Sequence, residues 1–336
     1  MRLIALIALL MPLGFPAPVL AASTCASAPE PVFSLGYGSR YEQSDQPGTV
    51  IDSAARAAAD KELKPVDDFL RDLAKMTSGN KATSADCALS QIAVWARANA
   101  LQDLQSPTAR LTVGSRIASF GLIALEAAKQ TEKSSDLADI GAWLARLVNR
   151  QMVFWEEEAS DGAKRGNLRA WSALGAAATA AITDDPVMRS WAVWSVSYVL
   201  CTAAPDGSLP QEMRRGKYAL HYQLHAVSAL VVASALLERQ GTPVHLVCQS
   251  ALDRVVGFAM DDLDSGRRTA QITGQTQNYF DGTDVLKPFS FAWIEAYLTL
   301  SQVSRHRQLN RFAARHRPLS YSKLGGNQTR MWASDP

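Results

Sequence analysis

Apolar residues recur three and four positions apart along nearly the whole chain, the spacing that lines up one face of an α-helix. TVIDSAARAAADKELKPVDDFLRDLAKMT (49–77) and DLADIGAWLARLVNRQMVFWEEE (136–158) both show it. Asp185-Pro186 supplies an N-cap and then a proline at the first helical position, opening a helix over PVMRSWAVWSVSYVL. HYQLHAVSALVVASALLERQG (221–241) follows the turn PDGSLP and closes on a glycine stop. Strand signals are confined to VFSLGYGSRY (32–41) and YSKLGGNQTRMW (321–332), one near each end. The pattern predicts an all-α protein of about ten to twelve helices, paired through short polar turns. With no repeat of fixed period, a regular solenoid is the poorer expectation than a toroid of inner and outer helices.

The first residues, MRLIALIALLMPLGFPAPVLAAS, run from one arginine through an apolar stretch to small residues, the form of a secretory signal. Pro12 and Pro16 interrupt that stretch, which argues against a retained anchor. The expected division is a signal peptide over 1–22 and one domain over 23–336, exported to the periplasm, with no later membrane span. A formal net charge of +2 excludes a general nucleic-acid binder. Four cysteines (Cys25, Cys87, Cys201 and Cys248) suit an oxidising compartment and allow three pairings. Cys25–Cys87 with Cys201–Cys248 is preferred because it clips each half locally. With no CxxC or histidine-rich cluster, no metal and no cofactor are expected. The protein is expected to be a monomer.

QEMRRGKYALHYQLHAV, from Gln211, is the stretch richest in chemistry. On one continuous helix Arg215 and Tyr222, seven apart, share a face; His221 is rotated off it and His225 lies a turn beyond. A cation beside a phenol stabilises the phenolate, so a tyrosine so placed can take a proton and return it. The plainer interpretation makes Tyr222 a core aromatic and Arg215 a surface charge. Eight tryptophans, among them Trp95, Trp155, Trp171, Trp191 and Trp194, suit sugar stacking but also a core. No GxSxG elbow is present. Glu156 to Glu158 with Asp161 leave a paired-carboxylate glycosidase open, although a helix end and turn explain them as well. From Ser304 to Ser334 the chain carries seven Lys or Arg residues and no acid, either a solvated face or the edge of a groove for an acidic polymer.

Four segments, in order, resemble the periplasmic alginate lyases of polysaccharide lyase family five: SRYEQSD (39–45), DCALSQIAVWARANALQ (86–102), DGSLPQEMRRGKYALHY (206–222) and KLGGNQTR (323–330). The resemblance runs from about Val32 to Trp332. It implies an (α/α) toroid, an incomplete α/α barrel with a deep substrate cleft, that cuts an anionic polyuronate by β-elimination. It assigns Tyr222 as base and acid, Arg215 as its support and Asn167 as a holder of the uronate carboxylate. Trp171, Arg40, Arg97, His221 and Arg169 are the expected substrate-binding residues, with Arg214 and Arg311 as further basic edges of the path. The family motif Asn-Asn-His-x-Tyr-Trp departs here to Gly166-Asn167-Leu168-Arg169-Ala170-Trp171, and the family's N-terminal lysine is Arg40.

The histidine lost at Leu168 divides the expectations. A lyase that lacks one electrostatic donor loses about 100- to 1,000-fold in rate, out of an acceleration of at least about a million-fold. Arg169, His221 or His225 are the candidates to replace it. The alternative is a catalytically impaired protein that binds polyuronate during exopolysaccharide secretion. A third reading, a helical-toroid glycosidase, needs Glu157 and Asp161 to face each other. The polymer is polymannuronate (alginate) or polyglucuronate in either of the first two cases.

Overall fold

The computed structural model describes residues 25–45, 48–131 and 135–333; the expected signal peptide, 1–22, lies outside them. The longer helices are α1 (Ser53–Thr77), α2 (Ala82–Arg97), α3 (Gly114–Ala128), α4 (Ser135–Val153), α5 (Asn167–Thr183), α6 (Pro186–Leu200), α7 (Ala219–Arg239), α8 (Val247–Asp261) and α9 (His306–Ala314). Asp185 caps α6 as expected, its carboxylate accepting from the backbone of Val187 and Met188. α7 ends at Arg239, and Gly241, at φ +85°, takes the left-handed turn that follows.

Two classes of helix alternate along the chain. α3, α5 and α7 are buried on nearly every side, as helices apolar all round must be. α2, α4, α6 and α8 bury one face and expose the other. α5 is the hub, packed against α3, α4, α6 and α7. Small residues make this possible. A Cβ on Gly114 of α3 would lie 2.8 Å from the Cα of Ser172 on α5, and one on Gly121 would lie 2.9 Å from the Cβ of Ala178. The arrangement is an α/α toroid with α3, α5 and α7 inside.

Two helical stretches, 107–128 and 216–239, are long and apolar enough to cross a membrane by composition, which corrects the expectation that none would be. Their most apolar windows are 78% and 83% buried inside the protein, where α3 and α7 take two of the three inner places. Seven of the eight tryptophans are buried, and Trp194 alone is more than half exposed, at 53%. Trp95 stacks on Phe69 at 4.6 Å between centroids and gives its indole N–H to the carbonyl of Pro29, so it serves the core and not a sugar.

Extended structure falls near each end, where the sequence hints at it, but the partner of the first strand arises where no strand signal stood. β1 (Ser34–Leu35) pairs in parallel with β2 (Asp103–Leu104), and β3 (Ser320–Tyr321) pairs antiparallel with β4 (Gly326–Asn327). Disulfides join Cys25 to Cys87 and Cys201 to Cys248, the locally clipped pairing. The first ties the N-terminal segment to α2, and from there the chain runs past β1 to Tyr41 and Gly48 over the start of α7.

Candidate active site

The chain does not pass from Arg215 to Tyr222 as one helix. A short helix, Pro210–Met213, stops before Arg215, Gly216 turns the backbone at φ +52°, and α7 begins only at Ala219. The two residues therefore share no helical face, contrary to the spacing argument. They meet because the turn folds Arg215 back: its guanidinium carbon lies 4.2 Å from the ring centre of Tyr222 and 4.7 Å from that of Tyr41. Gly48, at φ +68°, lies over the same guanidinium, where a Cβ would stand 2.8 Å from an Nη. The Tyr41 and Tyr222 hydroxyls are in direct contact.

Burial, then Tyr41, push the Tyr222 phenol above its ordinary range, and Arg215 pulls it back only in part. The cation acts in the expected direction, but desolvation outweighs it, so Tyr222 rests protonated. A phenol held this way is a weak acid that keeps its proton, and its phenolate, once formed, is a strong base.

Asn167 opens α5, and its side chain does not point freely into the cleft. Its backbone N–H donates to Glu212 Oε1 at 2.7 Å and its amide Nδ2 to Oε2 at 2.8 Å. Glu212 is 1% exposed. Burial pushes its carboxyl up to about 7, opposed by the two bonds from Asn167 and by the charge of Arg215. One carboxylate thus positions Asn167 while sitting beside the cation that faces Tyr222. Asn167 keeps its second amide hydrogen.

His225 lies one turn along α7 from Tyr222. Its Nδ1 is 2.9 Å from the indole Nε1 of Trp171 and 3.1 Å from Oδ1 of Asn167. Trp171 is 1% exposed, so it orients His225 and offers little surface to a sugar. His221 shares its Nδ1 with the Tyr279 hydroxyl at 2.8 Å. Burial first, and then positive charge from Lys323, Arg40 and Arg215 against Asp284, take His221 down to about 4. Lys323, on the turn between β3 and β4, is brought down to about 8, chiefly by burial and next by Arg116. The charge of the exposed Arg40 bears on Tyr222, His221, His225 and Lys323 together.

Several expected site residues stand elsewhere. Arg97 leaves α2 on the outside and pairs with Asp136 and Asp139 at the start of α4, so it lines no path with Tyr222. Arg169 points to the opposite side of α5 from Asn167, where it pairs with Glu156, bonds Ser195 and lies over the rings of Trp191 and Tyr198. It cannot stand in for the histidine missing at Leu168. Glu156 is committed to Arg169 and Trp191, Glu158 pairs with Arg110, and Asp161 is exposed at the start of the short helix Asp161–Lys164. Glu157, the acid the glycosidase reading pairs with Asp161, is likewise exposed, on the turn Phe154–Glu158 four residues before Asp161, so the two stand on neighbouring turns of one exposed segment and that reading falls. Leu168 is half-buried against the core and Ala170 is fully buried.

Glu212, Tyr41, Lys323 and Tyr279 join the cluster without having been singled out. A signal existed for the first three, since each lies in one of the four segments quoted above; Tyr279 carried none. Among the described residues no group of three His, Cys, Asp or Glu side chains comes together that could hold a metal ion.

Comparison with known proteins finds relatives of the whole chain and of its fold. A family model described as alginate lyase matches residues 115–269. An alginate lyase of Pseudomonas paraeruginosa is 26% identical over 94% of this chain and 87% of its own length. A polysaccharide lyase of Stenotrophomonas maltophilia is 27% identical over 94% of each. Among solved structures, alginate lyase A1-III from Sphingomonas species A1 superposes with a TM-score of 0.71 at 19% identity, covering 93% of this chain and 87% of that one. A histidine-to-alanine variant of that enzyme, complexed with a tetrasaccharide, gives 0.74, over 93% of this chain and 86% of its own. Over residues 115–269, then, the chain is similar to the alginate lyase family, and over most of its length to the fold of alginate lyase A1-III.

Proposed function

We propose that this is an exported, periplasmic polysaccharide lyase that cuts a polyuronate, polymannuronate or polyglucuronate, by β-elimination. The observation that carries this is the stack of Arg215 on Tyr222 and Tyr41, with Asn167 held by Glu212 on the adjoining helix. The relative named alginate lyase supports the same substrate class, and the one named polysaccharide lyase supports the reaction class.

In the proposed step Tyr222 first gives its phenolic proton to solvent, and the resulting phenolate, stabilised by Arg215, takes the C5 proton of the uronate. The C5–H electrons form the C4–C5 double bond as the C4–O4 bond breaks. The leaving O4 takes the proton back from Tyr222, so one residue serves as base and acid and no water enters the products. C5 is acidic only if its carboxylate is neutralised, and the free amide hydrogen of Asn167 contributes there. Arg40 and Lys323 add the positive field that an anionic polymer needs on entry.

Leu168 and the elevated Tyr222 phenol favour a second reading, a silent polyuronate-binding protein. The two separate in one experiment. The mature protein is given polymannuronate, polyguluronate and polyglucuronate while the ultraviolet absorbance of the unsaturated product is followed, with Tyr222→Phe as control. The lyase reading expects product that vanishes in the control. Silence on all three polymers, with binding still seen by calorimetry, overturns it in favour of the binder.

A further inference from the structure

The imidazole of His225 has one nitrogen engaged and one free. An indole N–H can only donate, so Trp171, 2.9 Å away, makes His225 Nδ1 the acceptor. Nδ1 has a single in-plane lone pair, and Asn167 Oδ1 at 3.1 Å is then a polar neighbour with no proton between them. In the neutral ring the proton must sit on Nε2. Burial first, and then Lys323, His221 and Arg40, hold His225 well below its ordinary pKa, so the ring stays neutral. Nε2 has no hydrogen-bond partner among the described residues, and it is not sealed from solvent.

Its position bears on the chemistry. The His225 ring centre is 6.5 Å from that of Tyr222, 6.4 Å from His221 and 5.0 Å from Trp171. The ring that carries this N–H donor thus stands beside the phenol that would act on the sugar, with its other nitrogen against the Asn167 side chain. Leu168, the neighbour of that amide on α5, has no polar atom to offer.

We propose that His225 is a catalytic residue that donates, through Nε2–H, a hydrogen bond to the uronate carboxylate. This rests on the polyuronate reading above. As the C5 proton leaves, negative charge builds on that carboxylate, and a donor already oriented by Trp171 binds it more tightly than the ground state. The imidazole thereby does from α7 what residue 168 cannot do from α5.

The test compares His225→Ala, His225→Gln and His225→Met in turnover, oligouronate affinity and melting temperature. Glutamine can accept from Trp171 with its oxygen and donate with its amide, whereas methionine fills the space without a donor. The expected result is a kcat loss of about 100- to 1,000-fold in the alanine and methionine variants. Glutamine should recover much of it, and added imidazole should partly rescue the alanine variant. A kcat unchanged in methionine, with only the melting temperature lowered, overturns the proposal and leaves His225 as a prop for Trp171. If the alanine variant does not fold, the glutamine and methionine pair decides. Should the wild-type protein turn over none of the three polymers, the lyase reading falls and affinity decides this one. Tenfold weaker oligomannuronate binding in methionine but not glutamine supports the donor; equal binding, or no binding by the wild type, overturns it.

Discussion

Glu212 offers the clearest test of the site's energetics, because two opposed effects meet on one carboxyl. Burial pushes it up from 4.5 to about 7, while Asn167 donates two hydrogen bonds to it and Arg215 adds positive charge. A folded-state value above the unfolded one means that the folded protein binds the extra proton. The associated stability is therefore full at low pH and is lost as pH rises from 4.5 through 7. With one pKa unit worth 1.36 kcal/mol, the loss between pH 5 and pH 8 is about 2.5 kcal/mol. At about 2.1 cal/mol/K per residue for a folded domain of this size, that is about 4 °C in melting temperature. The perturbation is Glu212→Gln, which removes the titration and keeps an amide against Asn167, whose own amide can rotate to match. Melting curves of both proteins at pH 5 and pH 8 isolate the effect, because every other titrating group is common to both. The wild type should lose about 4 °C relative to the variant as pH rises. A difference independent of pH would refute the reasoning. A difference of opposite sign would mean that the Asn167 bonds and Arg215 outweigh burial and that Glu212 is ionised throughout. In that outcome Asn167 is held by a full carboxylate at every working pH.

Arg215→Met removes the larger of the two positive charges that lower the Tyr222 phenol, Arg40 being the other, so the alkaline rise of kcat/KM should move to higher pH; a limb that stays or moves down contradicts the assigned role. Gly114→Ala drives a methyl group into the backbone of Ser172, where α3 meets α5, and should cost about 1–3 kcal/mol or more, read as a lower melting temperature. Gly79→Ala, with nothing within 4 Å of the added Cβ, should stay within about 0.5 kcal/mol and serves as its control. Replacing Cys201 and Cys248 by serine frees a loop of sequence separation 47 in the unfolded chain, for an expected loss of about 4 kcal/mol; a melting temperature that does not move would show that the bond restrains little.

Much of the site was legible as residue types but not as arrangement. Tyr222, Arg215 and Arg40 were readable from the quoted segments and Asn167 from the Gly166–Trp171 motif, and all four bear on one cluster. Arg97 and Arg169 came from the same kind of reading and failed, since a guanidinium goes to whichever carboxylate its helix neighbour presents. For Arg97 that neighbour is α4, with Asp136 and Asp139; for Arg169 it is Glu156. The His221 and His225 pair shows the same limit. Spacing placed both on α7, but only the packing of α5 against α7 sets Trp171 and Asn167 against His225 and leaves His221 to Tyr279.

The cysteine pairing, one of three open to the sequence, was decided only by the fold. By itself the sequence determined the all-α class, the Asp185 cap with the glycine stop after Arg239, and extended structure near each end. These follow from periodicity and neighbours close along the chain, which act before any tertiary contact forms. Only the tertiary structure decided that Gly216 would break the helix and fold Arg215 over Tyr222, that Glu212 would be sealed beside Asn167, and that desolvation would outweigh the arginine on Tyr222. Each of those depends on which groups lose water together. That is a property of helices meeting across the ring, and no spacing along one helix encodes it.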